Sequence, residues 1–139
     1  MYTVADLMTR EVITLDENEN LGDASRILAR KHIRHLPVVR DKKLVGLVTH
    51  RDILRCVGGQ AGGKCRAGDI MVTHLTTITP EMSLYDAVRI MRQHKYGCLP
   101  VVDDEHVLVG ILTEADLVRF AEQAIERQDR RELAADYRA

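Results

Sequence analysis

The chain is written twice, and that limits its folds more than any other feature. Leu36-Pro37-Val38-Val39 returns as Leu99-Pro100-Val101-Val102, and Leu44-Val45-Gly46 returns as Leu108-Val109-Gly110, with one residue added in the turn between. Asp6-Leu7-Met8 matches Asp69-Ile70-Met71, Asp23-Ala24 matches Asp86-Ala87, and Arg26-Ile27 matches Arg89-Ile90. Thr49 and Asp52 match Thr113 and Asp116. Order is kept over almost the whole unit, as a true internal repeat requires. A unit of about 60 residues is marginal as an independent core. Two such units are therefore expected to bury their apolar faces against each other about a pseudo-twofold axis, giving one core and two related clefts.

Each unit reads as β-α-β-β-α, so the fold class is α/β (α+β), with two intertwined repeats. Val12-Ile13-Thr14-Leu15 is short and β-prone, and Leu21, Ala24, Ile27 and Leu28 then share a helical face. Its twin places Leu84, Ala87, Val88 and Met91 at i, i+3, i+4 and i+7. Asn20 and Ser83 stand where helix caps belong. Leu36–Val39 and Leu44–Val48 read as a hairpin around the polar turn Arg40-Asp41-Lys42-Lys43, and the second copy turns at Asp103-Asp104-Glu105-His106. The expected organisation is repeat one over residues 1–57, a glycine-rich linker over 58–66, repeat two over 67–121, and a charged helical tail over 122–139. Along the tail, Leu117, Val118, Ala121, Ala124 and Ile125 continue a helical stripe, with an exposed, fraying end beyond them.

Composition removes several function classes. Lys+Arg is 20 and Asp+Glu is 21, a formal net charge of −1, so no broad field favours nucleic acid or an anionic membrane. Aromatic residues are 4% with no Trp, which leaves few base-stacking platforms. No apolar run approaches the ~20 residues of a membrane span, and no signal-peptide pattern opens the chain. Cys56, Cys65 and Cys98 are odd in number and lack C-x-x-C spacing, so they read as reduced thiols of a cytoplasmic protein. Gly58 to Cys65 nearly spells a phosphate-binding P-loop, but Cys stands where Ser or Thr must hold magnesium, and the strand and long helix that flank a P-loop are missing. The six histidines complete no metal-ligand spacing. No nucleophile–base or paired-carboxylate constellation stands out, so no catalytic residue and no metal are expected.

The sharpest local signal is Gly46-Leu47-Val48-Thr49-His50-Arg51-Asp52, echoed by Gly110-Ile111-Leu112-Thr113-Glu114-Ala115-Asp116. Each runs from a buried strand through Thr-x-x-Asp into a helix. Thr-x-x-Asp is a capping box. The same geometry offers free N–H groups and a positive helix end to a phosphate, and a carboxylate to a ribose diol.

With the Asp-Leu/Ile-Met opening and the Leu-Pro-Val-Val strand, these motifs resemble the CBS domain, the regulatory repeat named after cystathionine β-synthase, over roughly residues 3 to 121. A pair of them is a Bateman module. The resemblance implies a non-enzymatic regulatory module that binds AMP, ADP, ATP or S-adenosylmethionine between its repeats, forms a homodimer and signals to a separate effector protein. One cleft would use Leu47, Thr49, Arg51 and Asp52 against Met71, Thr76, Tyr96 and Gly97. The other would use Ile111, Thr113 and Asp116 against Met8, Ile13, Ile33 and Arg34. The first is slightly favoured because Arg51 offers a phosphate partner where the second has Ala115. The alternative is an interaction or oligomerisation module with no small ligand, in which Thr-x-x-Asp serves only as a cap.

Overall fold

A computed structural model describes residues 1–22, 33–59 and 64–138. Strand β1 (Leu15–Asp16) runs parallel to β2 (His35–Arg40), and β2 turns back into antiparallel β3 (Lys43–Thr49), giving one sheet in the order β1-β2-β3. Strands β4 (Cys98–Val102) and β5 (Leu108–Thr113) form a second, antiparallel sheet. The described helices are α1 (Val4–Leu7), α2 (His50–Gly58), α3 (Ala67–Ile70), α4 (Leu84–His94) and α5 (Glu114–Arg138). In β3, Leu44, Gly46 and Val48 are buried while their neighbours are not, the period of two of a strand with one face on a core.

The turns follow from local chemistry. Asp41 and Lys42 both have positive φ, 50° and 69°, as a two-residue hairpin matched to strand twist demands. In the second copy Asp103 Oδ1 accepts from the N–H groups of Glu105 and Val107, both at 2.9 Å, and this side-chain turn replaces a tight one. The tips of the two hairpins meet, with Leu44 N–H donating to the His106 carbonyl and Leu108 N–H to the Lys42 carbonyl.

The repeats exchange their opening segments. Val4 and Met8 are buried with Ile78, Leu84, Ala87, Met91, Leu99, Val101 and Leu112, all from the second half. Thr9 and Ile111 exchange N–H···O bonds at 2.9 Å in both directions. In the same way Ala67 joins Leu15, Leu21, Leu36, Val38, Val48, Ile53 and Cys56 of the first half, and Val72 exchanges two 2.9 Å bonds with Leu47. This swap requires the glycine of each Gly-h-h-Thr motif. A Cβ at Gly46 would overlap the Met71 side chain, and one at Gly110 would lie 2.7 Å from Met8 Sδ.

Four details depart from, or fall outside, the sequence reading. Of the expected Val12–Leu15 strand only Leu15 pairs, in a strand that runs on to Asp16, because Val12 and Ile13 face a cavity instead. The first-repeat helix starts where expected, with Asn20 Oδ1 accepting from Gly22 N–H at 2.9 Å, but its positions Ala24, Ile27 and Leu28 lie outside the described residues, as does the linker over 60–63. Helix α5 runs on unbroken to Arg138, and of its expected stripe only Leu117 is partly buried, while Val118, Ala121, Ala124 and Ile125 are exposed. Phe120, off that stripe, packs edge-on against Tyr2 with ring centroids 5.1 Å apart.

The fourth departure concerns the cysteines. Cys56 and Cys65 are joined in a disulfide with Cα atoms 6.0 Å apart, so the expectation of three thiols is corrected to one. Spacing alone hid this, because the two meet only when the Cys65 carbonyl accepts from Leu21 N–H and Ala67 enters the core beside Cys56. Cys98 is free and buried; desolvation, helped by the Glu114 charge, pushes its thiol up to about 12, so it stays protonated and unreactive.

Candidate functional site: clefts at two helix N-termini

Thr49 closes β3 and caps α2, and Thr113 closes β5 and opens α5. Asp52 N–H donates to Thr49 Oγ1 at 3.3 Å, while Asp52 Oδ2 accepts from Thr49 N–H and Thr49 Oγ1, both at 2.9 Å. The second copy repeats the pattern at 3.3, 2.9 and 3.0 Å. Both capping boxes are therefore complete. They leave the remaining N-terminal N–H groups of each helix, and its positive dipole end, beside a cavity.

The cavity at α5 has a volume of about 410 Å³, and its wall includes Thr9, Ile13, Ile33, Arg34, His35, Gly97, Ile111, Thr113, Asp116 and Arg119. Six residues expected together are thus together here: Ile111, Thr113 and Asp116 with Ile13, Ile33 and Arg34. Met8 is not on this wall; it is buried over Gly110. The cavity at α2 is wider and more open, about 950 Å³, and is lined by Ile33, Arg34, His35, Thr49, His50, Arg51, Leu54, Lys95, Gly97 and Glu114. Thr49, Arg51 and Gly97 of the expected first cleft line it. Leu47, Asp52, Met71, Thr76 and Tyr96 do not. Leu47 is engaged by Val72, Asp52 turns back on Thr49, Met71 covers Gly46, and Thr76 Oγ1 donates to the Tyr96 hydroxyl at 3.2 Å. Both volumes suit a nucleotide-sized ligand.

Ile33, Arg34, His35, Gly97 and Glu114 belong to both walls, so one partition separates the two cavities. Gly97 lets the imidazole approach closely there, since a Cβ would lie 2.9 Å from His35 Nε2 and the ring would have to shift. Arg34, Arg51 and Lys95 give the α2 cavity three cations against Glu114, whereas the α5 cavity sets Arg34 and Arg119 against Glu11, Glu114 and Asp116. Thr9, Glu11, His35, Lys95, Glu114 and Arg119 escaped the sequence reading. Arg119 was findable, since it sits one turn beyond Asp116 on the same helix. Thr9 lies 107 residues from the aspartate it touches, and only the fold joins them.

Desolvation lowers the His35 pKa below 6.5; the Glu114 charge opposes this and Arg34 adds to it. The folded state then binds fewer protons at His35 than the unfolded state does, so stability is intact above about pH 6.5 and declines as pH falls below it. We expect wild-type protein to lose more stability between about pH 7 and about pH 5 than His35→Gln, in urea unfolding at each pH. Parallel pH curves for the two proteins would contradict this.

Among the described residues no helix is long and apolar enough to cross a membrane, and no group of three or more His, Cys, Asp or Glu residues is placed to hold a metal ion. The family model of the CBS domain matches residues 4–59 and again 67–123. The CBS domain-containing protein YhcV of Bacillus subtilis is 36% identical over 118 residues, which is 84% of each chain. Other curated relatives are much longer, and this chain spans only 24% of the length of several. Among solved structures, CBSX2 of Arabidopsis thaliana in complex with AMP is 32% identical, with a TM-score of 0.79 over 89% of this chain and 98% of its own. The CBS domain pair of MJ0100, in complex with 5′-methylthioadenosine and S-adenosylmethionine, is 30% identical, with a TM-score of 0.78 over the same shares. Two matches of one domain model, on two repeats that exchange their opening segments around paired clefts, establish that this chain belongs to the CBS-domain family as a CBS domain pair.

Proposed function

We propose that this chain is a non-enzymatic sensor that binds an adenine nucleotide in the clefts between its repeats and passes the bound state to a separate effector protein. The observation that carries the reading is the pair of capped Thr-x-x-Asp helix N-termini, each bordering a cavity of nucleotide size with cations beside it. The AMP and S-adenosylmethionine complexes of CBSX2 and MJ0100 support adenosine as the common part of the ligand. In the α2 cavity the helix N-terminus, Arg51 and Lys95 would hold phosphate. Isoleucine side chains at 13, 33 and 111 would enclose a base in the α5 cavity. Ligand in either cavity presses on the shared partition, and the shift it causes is limited by its differential affinity for the two states.

Calorimetric titration with AMP, ADP, ATP and S-adenosylmethionine tests this. Saturable heat with at least one is expected, accompanied by a rise in melting temperature. Silence from all four would favour the other reading, an interaction module without a small ligand, to which the completeness of both capping boxes also lends support. A homodimer is part of the proposal. Leu54 and Val118, equivalent in the two repeats, and Val57 beside them are 55%, 67% and 47% exposed, and a second copy would cover them. Sedimentation velocity of the same samples should give a dimer, and a monomer at micromolar concentration would contradict it.

A further inference from the structure

The two clefts share a motif but differ in how many acceptor sites their aspartates have left. Repeat alignment pairs Thr9 with Val72, Ile111 with Leu47, Asp116 with Asp52 and Arg119 with Arg55. The backbone agrees, since Thr9 bridges Ile111 as Val72 bridges Leu47. The side chains do not. An ionised carboxylate offers about four acceptor sites. Asp116 fills four: Oδ2 takes Thr113 N–H and Oγ1, while Oδ1 takes Thr9 Oγ1 at 2.9 Å and Arg119 Nη2 at 2.5 Å. Its side chain is 2% exposed. Asp52 fills two, both on Oδ2, and among the described residues nothing donates to Oδ1. Val72 has no hydroxyl to give, and Arg55 makes no ion pair with Asp52.

A ribose diol needs two acceptor positions on one carboxylate. Asp52 has both free on Oδ1 and, though not itself on the cavity wall, follows Thr49 and Arg51, which are, on the first turn of α2. Asp116 has them only after Thr9 and Arg119 let go of Oδ1. We infer that the two clefts are unequal: the Thr49/Asp52 cleft takes the nucleoside first, and Thr9 and Arg119 are specificity-determining residues that withhold Asp116 from a ribose. The inference rests on the nucleotide reading of the clefts and assigns it a cleft and a gate. The gate also has a physical consequence. A ligand that does enter at Asp116 must displace the opening segment's only side-chain bond to α5 among the described residues, so occupancy there is coupled to how the N-terminal segment sits on the second repeat.

Calorimetry with AMP separates the possibilities. Wild-type protein is expected to bind one AMP per chain, with the heat removed by Asp52→Asn, which keeps a side-chain oxygen for the Thr49 cap. Thr9→Val, which copies Val72, combined with Arg119→Ala should raise the stoichiometry to two, and adding Asp116→Asn should return it to one. The reciprocal Val72→Thr places a hydroxyl where it can occupy Asp52 Oδ1 and should weaken AMP about tenfold. Circular dichroism melts establish that each variant is folded. Full AMP binding by Asp52→Asn, or one site in the Thr9→Val/Arg119→Ala protein, overturns the inequality while the sensor reading stands. No heat with the wild type and any of the adenosine ligands removes the sensor reading, and the gate with it.

Discussion

Asp116→Ala is expected to lower the unfolding free energy by about 2–3 kcal/mol, against about 1 kcal/mol for Asp52→Ala. The two residues occupy the same place in their repeats, so a simple capping role would predict equal losses. They differ in what each holds. Removing the Asp52 carboxylate costs one cap on a partly exposed helix start. Removing that of Asp116 costs the same cap and also strands the Thr9 hydroxyl, which joins the opening segment to α5, in a place from which the aspartate is almost wholly excluded from water. The Arg119 bond contributes little to the difference, because that side chain is 59% exposed and rehydrates when released. For a chain of this size the larger loss corresponds to a fall in Tm of roughly 10 °C. Thermal unfolding of the two variants side by side is the check, and equal shifts would show that Thr9 adds nothing.

Gly110→Val should be the more damaging glycine substitution, at about 3 kcal/mol, with Gly46→Val nearer 1–2 kcal/mol. Valine suits a strand, so propensity is not the cause. At Gly110 the new Cβ meets Met8 Sδ at 2.7 Å and the Thr9 carbonyl oxygen at 3.0 Å. That carbonyl is bound to Ile111 N–H and cannot retreat without breaking the bridge that seats the opening segment on the second repeat. At Gly46 the nearest atoms are Met71 Sδ, Cγ and Cβ; the outer two can swing away with the flexible thioether, so only the Cβ at 2.9 Å must give with its backbone. Urea unfolding should show the Gly110 variant with the lower midpoint. A Gly46 variant as damaged as the Gly110 variant would mean that Met71 is as immovable as backbone.

The repeat was legible because identical short motifs kept their order, and the strands and caps were legible because alternation, helical spacing and Thr-x-x-Asp are local signals. Hairpin β2–β3 sits where Leu36–Val39 and Leu44–Val48 were read, only extended by a residue at its ends because Asp41 and Lys42 accept positive φ and shorten the turn. What stayed hidden was non-local. Nothing in Asp-Leu-Met announces that Met8 serves the second repeat's strand and Met71 the first's. Val12-Ile13-Thr14 has the β-branched character of a strand, yet chain geometry sends two of its side chains into a cavity, where no partner strand lies. The Cys56–Cys65 bridge joins residues on either side of the glycine-rich stretch, and odd cysteine counts do not exclude a pair. At the clefts, residue types were read from the motif, but the number of hydrogen bonds each aspartate already accepts could come only from coordinates.

A crystal structure of the full chain grown with saturating AMP tests directly whether adenosine lies against a Thr-x-x-Asp helix start. The predicted result is AMP in the cavity at the start of α2, with a ribose hydroxyl within hydrogen-bond distance of Asp52 Oδ1 and phosphate beside Arg51. AMP bound away from both Thr49 and Thr113, or both clefts empty at saturating AMP, would contradict it.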